Sequence, residues 1–369
     1  MLIETEPYLK NASRRADAHS FSSDDAFQAW LLDGVSRTFA LTIPQLPLAL
    51  RKVVANAYLL CRIVDTIEDE PSLSAEQKRY FCRLFTAAMT GGEAAERFAR
   101  ELATMLSDAT TPAEHELIQS SALVVRITQS FTENQRAALE RCVRVMSEGM
   151  ADFQETQSPD GLRDLAQLER YCYYVAGVVG EMLTSVFCDY SPVMEKKRDL
   201  MMRLAVSFGQ GLQMTNILKD LWEDRRRGAC WLPQDVFAEM GFDLKALAPG
   251  RVSKSFGEGL ARVIGIAHSR LKDALEYTLL VPRDETGIRH FCLWGIGMAL
   301  LTLRKINKHR DFTSGRQVKI SRKSVKATIF ASRLAVRSDS LLRTLFYLAG
   351  MALPVASEPL PQRLASGPQ

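Results

Sequence analysis

The chain has 369 residues, 47% of them hydrophobic, which is enough for a sizeable core in one large domain or two intimate ones. Its 47 basic and 43 acidic residues leave a formal charge of +4, with the basic residues scattered, which argues against nucleic acid as a partner and is compatible with anionic substrates or an anionic membrane surface. Seven cysteines, with no Cys-x-x-Cys pair, sit mostly in apolar helical contexts such as Cys61, Cys172 and Cys292 and read as buried free thiols of a reducing compartment.

Residues 1–22 form an N-terminal extension without the apolar core of a signal peptide. Pro47 opens a helical run whose apolar positions include Val54, Tyr58 and Cys61, spaced four and three apart, and Pro71 closes it. Ser74 with Gln77, and Thr111 with Glu114, read as capping boxes. Helical patterns follow over residues 133–156 and 162–188. Ser191-Pro192 is predicted to cap a helix running to about Asp220. Further helices are expected over residues 255–280 and 286–308, with turns at Gly91-Gly92 and Ser158-Pro159-Asp160-Gly161. No sustained period-two alternation occurs, so the expected class is all-α. Residues 325–355 mix apolar side chains with Arg333, Arg337 and Arg343. They read as amphipathic helices packed on the body, or as a membrane-surface contact. The apolar stretch 345–355 is too short to span a bilayer. A catalytic domain over residues 23–355 and a disordered, Pro-, Ser- and Gly-rich tail over 356–369 complete the division.

Two acidic clusters carry the chemistry. Asp65-Thr66-Ile67-Glu68-Asp69 and Asp220-Leu221-Trp222-Glu223-Asp224 share the form Asp-x-x-Glu-Asp. On a helix, positions three and four apart share a face, so each cluster stacks three mutually repelling carboxylates. A cation offsets that repulsion, and hard carboxylate oxygens suit Mg²⁺, which also keeps waters and takes phosphate oxygens. Two such clusters can hold several Mg²⁺ ions against a diphosphate and help it leave. The plain alternative is two solvated helix ends. Asp65, however, continues the face of Tyr58 and Cys61. Asp220 continues that of Gln213 and Asn216, within a helix otherwise apolar at Leu212, Met214, Ile217 and Leu218. Inward polar groups need partners, and a metal–diphosphate site supplies them. Nearby cations suited to phosphate are Arg62, Lys219 and Arg37 of Ser36-Arg37-Thr38; Arg225-Arg226-Arg227 serve equally well as surface charges.

Together with Phe39-Ala40, the stretches Ser36-Arg37-Thr38, Tyr58 to Asp69, Tyr171 to Gly177 and Gln213 to Asp220 resemble the squalene/phytoene synthase family, in family order over roughly residues 33–323. The resemblance implies a single-domain isoprenoid synthase-type helical bundle with a central cavity. It implies Mg²⁺ at Asp65, Glu68, Asp69, Asp220, Glu223 and Asp224, with Arg37, Arg62 and Lys219 steadying diphosphates. Substrate contacts would come from Ser36, Thr38, Phe39, Tyr58, Gly177, Gln213, Asn216 and Phe291, and Val175, Leu183 and Leu212 are further candidate cavity lining. Tyr171 would assist proton removal, with Asp65 and Asp220 counted as catalytic through the metal.

The Asp-Thr-Ile-Glu-Asp form and the segment Val318-Lys319-Ile320-Ser321-Arg322-Lys323 resemble squalene-forming members of the family. Those members take two farnesyl diphosphates through presqualene diphosphate to squalene with NADPH, which implies phosphate contacts at Lys319 and Arg322. No Gly-x-Gly-x-x-Gly fingerprint occurs, so any nicotinamide site is built from helices and loops. Arg225 to Pro233 is closer to bacterial carotenoid-type members, and the alternative products are presqualene diphosphate, hydroxysqualene, dehydrosqualene or phytoene. The implied protein is a bacterial, cytoplasmic monomer touching the inner face of the membrane peripherally.

Overall fold

The computed structural model describes residues 23–36, 39–155, 158–250 and 253–355; the proposed extension, the proposed tail, Arg37 and Thr38 lie outside them. The described residues are helical throughout, with one isolated β-bridge between Leu162 and Pro233. The all-α expectation therefore holds. Contacts divide the chain into two compact units.

The first unit is Met1–Pro44 with Arg51–Thr132. It holds α1 (Asp24–Val35), α2 (Phe39–Thr42), nearly all of α3 (Leu48–Asp69), α4 (Ala75–Ala88), α5 (Glu93–Ala103), α6 (Pro112–Gln119) and α7 (Ser121–Gln129). Both predicted capping boxes form, Ser74 with Gln77 and Thr111 with Glu114. The central helix α3 is buried on almost every side through Val53, Leu59, Leu60, Ile63, Val64 and Ile67. A fully buried amide, Asn56, sits among them. It accepts from Gln28 of α1 at 3.0 Å and donates to the Val124 carbonyl and the Thr128 hydroxyl of α7 at 3.1 and 2.7 Å. A buried amide with every strong partner made fixes the register of three helices at once.

The second unit, Gln45–Leu50 with Glu133–Gln369, holds α8 (Glu133–Glu155), α9 (Leu165–Cys172), α10 (Val178–Tyr190), α11 (Pro192–Glu195), α12 (Arg198–Arg226), α13 (Gln234–Glu239), α14 (Lys254–Leu280), α15 (Thr286–Lys308), α16 (Gly315–Val318), α17 (Arg322–Ala335) and α18 (Asp339–Gly350). The axis of this unit is α12, packed most extensively on α14 and next on α10. Glycines let α12 lie close to α10 and to the turn before it: a Cβ on Gly180 would lie 2.3 Å from the Ala205 carbonyl oxygen, and one on Gly209 would lie 2.2 Å from that of Ala176, just ahead of α10. Arg289, wholly buried, donates to the carbonyls of Val281 and Val336 and to Asp339 at 2.8–3.0 Å. It thereby ties the end of α14 to the turn between α17 and α18.

Two predicted helices differ in detail. Residues 162–188 do not form one helix. Leu162 is held by a backbone pair with Leu232 and Gln234, so α9 starts three residues later, and a π turn at Tyr173–Gly177 joins it to α10. The helix expected from Ser191 is also broken: Ser191 makes no side-chain cap, α11 ends at Glu195, and Lys197 leaves helical geometry before α12 begins. Buried Met194 anchors this short turn. The stretches Leu165–Tyr190 and Thr286–Lys308 are long and apolar enough to cross a bilayer, but half or more of each apolar window is buried within the protein, where they form core.

Candidate active site

The first acidic cluster closes α3. Asp65 is half-buried, Glu68 likewise, and Asp69 is exposed. Burial, with repulsion from Asp69 and Glu114, pushes the Asp65 carboxyl up to about 7 against the pull of Arg62. Arg62 lies 3.8 Å from Asp65 but pairs more closely with Glu114. Glu114 is the reciprocal member of the Thr111 capping box, accepting from the Thr111 N–H at 2.9 Å. One carboxylate thus starts α6 and aims the guanidinium that flanks Asp65. Lys78, on α4, donates to the Glu68 carbonyl; burial lowers its pKa, while Glu68, Asp69 and Glu70 oppose that shift. It brings a second cation to the cluster.

The neighbouring aromatic pair is local to this unit. Ser36 accepts from the Phe39 N–H at 3.0 Å and so starts α2. That sets the Phe39 ring 4.9 Å from Tyr58, whose hydroxyl donates to the Val35 carbonyl.

The second cluster closes α12. Burial raises the Asp220 pKa, Lys219 lowers it from 3.0 Å away, and Glu223 raises it. Lys219 also donates to Asn216 at 3.3 Å. Gln213 is half-buried and Asn216 is exposed, so the polar stripe before Asp220 is accessible rather than sealed in the core. Glu223 accepts from the Gly315 N–H, at 3.2 and 3.3 Å to its two oxygens, and pairs with Arg226 at 3.3 Å. A Cβ on Gly315 would lie 2.9 Å from the Lys219 carbonyl oxygen, 3.3 Å from Glu223 Oε2 and 3.5 Å from Asp220 Oδ1. Asp224 is half-buried, and its carbonyl receives the N–H groups of Arg227 and Ala229. Arg225 is committed to structure, donating to the carbonyls of Pro159 and Leu247 at 2.6 and 2.8 Å.

Tyr171 lies buried on α9, stacked flat on Trp231 with ring centres 4.0 Å apart and edged by Phe153 at 5.3 Å. Gly177 is buried against Tyr173 and Val206, and Phe291 on α15 meets Phe187 edge-on at 6.2 Å. Lys319 and Arg322 are both exposed on either side of Ser321, which caps α17. They follow α16, whose first residue is the Gly315 that holds Glu223.

The donor set suits Mg²⁺. Each cluster offers carboxylate oxygens that repel one another, and each has cations beside it. Among the described residues, no three acidic, histidine or cysteine side chains close into a cage. Mg²⁺ is commonly held by one or two carboxylates with waters and substrate phosphates.

The model of one family, described as squalene/phytoene synthase, matches residues 32–324. The chain belongs to the squalene/phytoene synthase family. It is 29% identical over 273 residues to "Squalene synthase clz20" of Cochliobolus lunatus, covering 73% of this chain and 62% of that one. The chain spans about three-fifths of the length of the curated relatives it first matches. Among solved structures it resembles TcSQS in complex with the ligand BPH1237 (TM-score 0.72, 23% identity, 91% of this chain and 94% of that one). It also resembles a dehydrosqualene synthase in complex with ligand (TM-score 0.63, 19% identity, 85% and 97%). These likenesses establish the isoprenoid synthase helical fold, and both acidic clusters, Tyr171 and Lys319 fall inside the family match.

Sequence reasoning missed four neighbours of these groups. Glu114 was legible as a cap but not as the partner of Arg62. Lys78 meets Glu68 across the turn between α3 and α4, whereas Gly315 and Trp231 stand far along the chain from what they touch and only the folded chain brings them there.

Proposed function

We propose that this chain condenses two molecules of farnesyl diphosphate head to head, through presqualene diphosphate, and reduces the product to squalene with NADPH. The observation that carries the reading is the pair of family-matched Asp-x-x-Glu-Asp clusters, each with a basic residue held against its first aspartate. Asp65, Glu68 and Asp69 would hold Mg²⁺ at the first cluster, and Asp220, Glu223 and Asp224 would hold it at the second. Mg²⁺ bound there would supply Lewis-acid neutralisation of the diphosphate leaving group.

The protein's own groups do the rest. Arg62, oriented by Glu114, and Lys219, held beside Asp220, would steady diphosphate oxygens through charge-assisted hydrogen bonds. Ser36, Arg37 and Thr38 would do so at the chain entry to α2. Phe39, Tyr58, Gln213, Asn216, Gly177 and Phe291 would contact the prenyl chains. An allylic cation left by ionisation must be kept from water and is stabilised by aromatic faces. The second substrate adds through its double bond and loses a proton, closing the cyclopropane. Tyr171, fixed by its stack on Trp231, would assist that proton's departure to released diphosphate. Lys319 and Arg322 would hold the phosphates of NADPH, which would supply hydride. The working unit is a monomer in peripheral contact with a membrane.

Product analysis from farnesyl diphosphate and Mg²⁺, with and without NADPH, tests the reading. Squalene only with NADPH supports it. Dehydrosqualene, hydroxysqualene or phytoene at every NADPH level would replace it with the non-reductive alternative. Asp65→Asn and Asp220→Asn should each abolish turnover while leaving the helical spectrum intact. Near-normal activity in either would remove the metal assignment.

A further inference from the structure

The C-terminal helices carry a surface that the condensation chemistry does not use. Between Asp311 and Asp339 there is no acidic residue, and there are seven Lys or Arg residues. On α17, Lys323, Lys326, Phe330, Arg333 and Leu334 are all exposed at spacings of three and four, forming one stripe along the helix, and exposed Arg337 follows in the turn just past its end. The opposite side is fixed to the body: Ser332 accepts from the Trp294 indole at 2.9 Å, and Ala335 and Val336 are buried.

Phe330 is 66% exposed and Leu334 69%, values unusual for large apolar side chains. On α18, Leu341, Tyr347 and Leu348 continue the exposed apolar surface, followed by Met351 and Val355. Leu342 and Phe346 point the other way, into the core. An apolar hollow of about 480 Å³ adjoins α18, lined in part by Tyr347, Met351 and Val355 and by Lys272 and Arg343. Among the described residues, no carboxylate pairs with Lys323, Lys326, Arg333 or Arg337.

We propose that the outer faces of α17 and α18 form an interfacial docking surface for an anionic lipid bilayer. Large apolar groups interleaved with cations match the boundary between acyl chains and anionic headgroups, where the apolar groups insert and the cations meet phosphates. The same pattern disfavours the other occupants. A second copy of this face would set cations against cations, and a nucleic acid would leave Phe330 and Leu334 without a partner. The hollow beside α18 offers room for part of an acyl chain drawn out of the bilayer.

Vesicle flotation tests this without substrate, so it stands or falls independently of the reaction. Vesicles of phosphatidylcholine alone are compared with vesicles containing phosphatidylglycerol, across a salt series. The full chain should bind the anionic vesicles, less at high salt. The triple variant Lys326→Glu, Arg333→Glu, Arg337→Glu should lose anionic-vesicle binding by roughly a hundredfold or more, since each cation near such a surface is worth about fivefold. Phe330→Ser with Leu334→Ser should weaken binding to both vesicle types at every salt concentration. All five positions are exposed, and unchanged thermal unfolding confirms that each variant is folded. No binding by the parent, or equal binding by parent and triple variant, overturns the proposal. So does loss of self-association by these variants in lipid-free sedimentation, which would assign the face to a second copy.

Discussion

The acidic run that ends α3 has one more member, Glu70, and its environment differs from that of the carboxylates before it. Glu70 is 1% exposed. Its two oxygens accept from the N–H groups of Ser72 and Ser107 at 2.9 and 3.0 Å and from the hydroxyls of Ser107 and Thr110 at 2.6 Å each. Burial alone would raise this carboxyl, but donation from Ser107, Thr110 and Ser72 brings it down from 4.5 to about 2. That difference corresponds to about 3 kcal/mol of folding stability at neutral pH. The sign follows from the lowered folded-state pKa: the contribution is complete above the unfolded value near 4.5 and fades as pH falls through about 2. Glu70→Gln keeps the shape but turns an amide N–H₂ toward donors, leaving hydrogens unaccepted at about 1–3 kcal/mol each. Chemical denaturation should show the variant about 3 kcal/mol less stable at pH 7, with roughly half of that gap gone by about pH 3. A gap below about 1 kcal/mol at neutral pH, or one that does not change with pH, would refute the account of Glu70 as an ionised anchor for the turn after Asp69.

Other perturbations follow from particular contacts. Gly315→Ala should lower kcat by about tenfold or more with little change in thermal unfolding, because displacement of catalytic groups by an ångström is costly; kinetics matching the parent would show that α16 does not set the positions of Glu223 and Asp220. Asn56→Ala should cost about 2–4 kcal/mol by removing its bonds to Gln28, Val124 and Thr128 and leaving a hole among α1, α3 and α7; equilibrium unfolding measures it, and a loss under about 1 kcal/mol would mean the buried amide is not what fixes these helices. Lys319→Ala with Arg322→Ala should leave presqualene diphosphate formation nearly intact and raise the NADPH needed for squalene. A product profile identical to the parent's at low NADPH would move the cofactor elsewhere.

How much was legible in the sequence depended on the range of the interaction. Capping boxes at Ser74 and Thr111, and the helices Leu48–Asp69 and Thr286–Lys308, are encoded within a few residues of themselves, so periodicity and caps sufficed to place them. The two acidic clusters were visible for the same reason: helical spacing alone stacks their carboxylates. The seven buried free thiols were legible from their apolar neighbours, and burial holds the Cys188 thiol up at about 11. The break at Lys197 and the late start of α9 were not visible. The first turns on where Met194 buries, and the second on a backbone pair with Leu232, some seventy residues away. The partners of the site groups lay beyond local reading as well. Glu114 reaches Arg62, Gly315 reaches Glu223 and Trp231 covers Tyr171 only because segments distant in sequence pack side by side. Local spacing determines which residues share a helix face; which face meets which is decided by burying apolar surface and pairing buried polar groups across the whole fold.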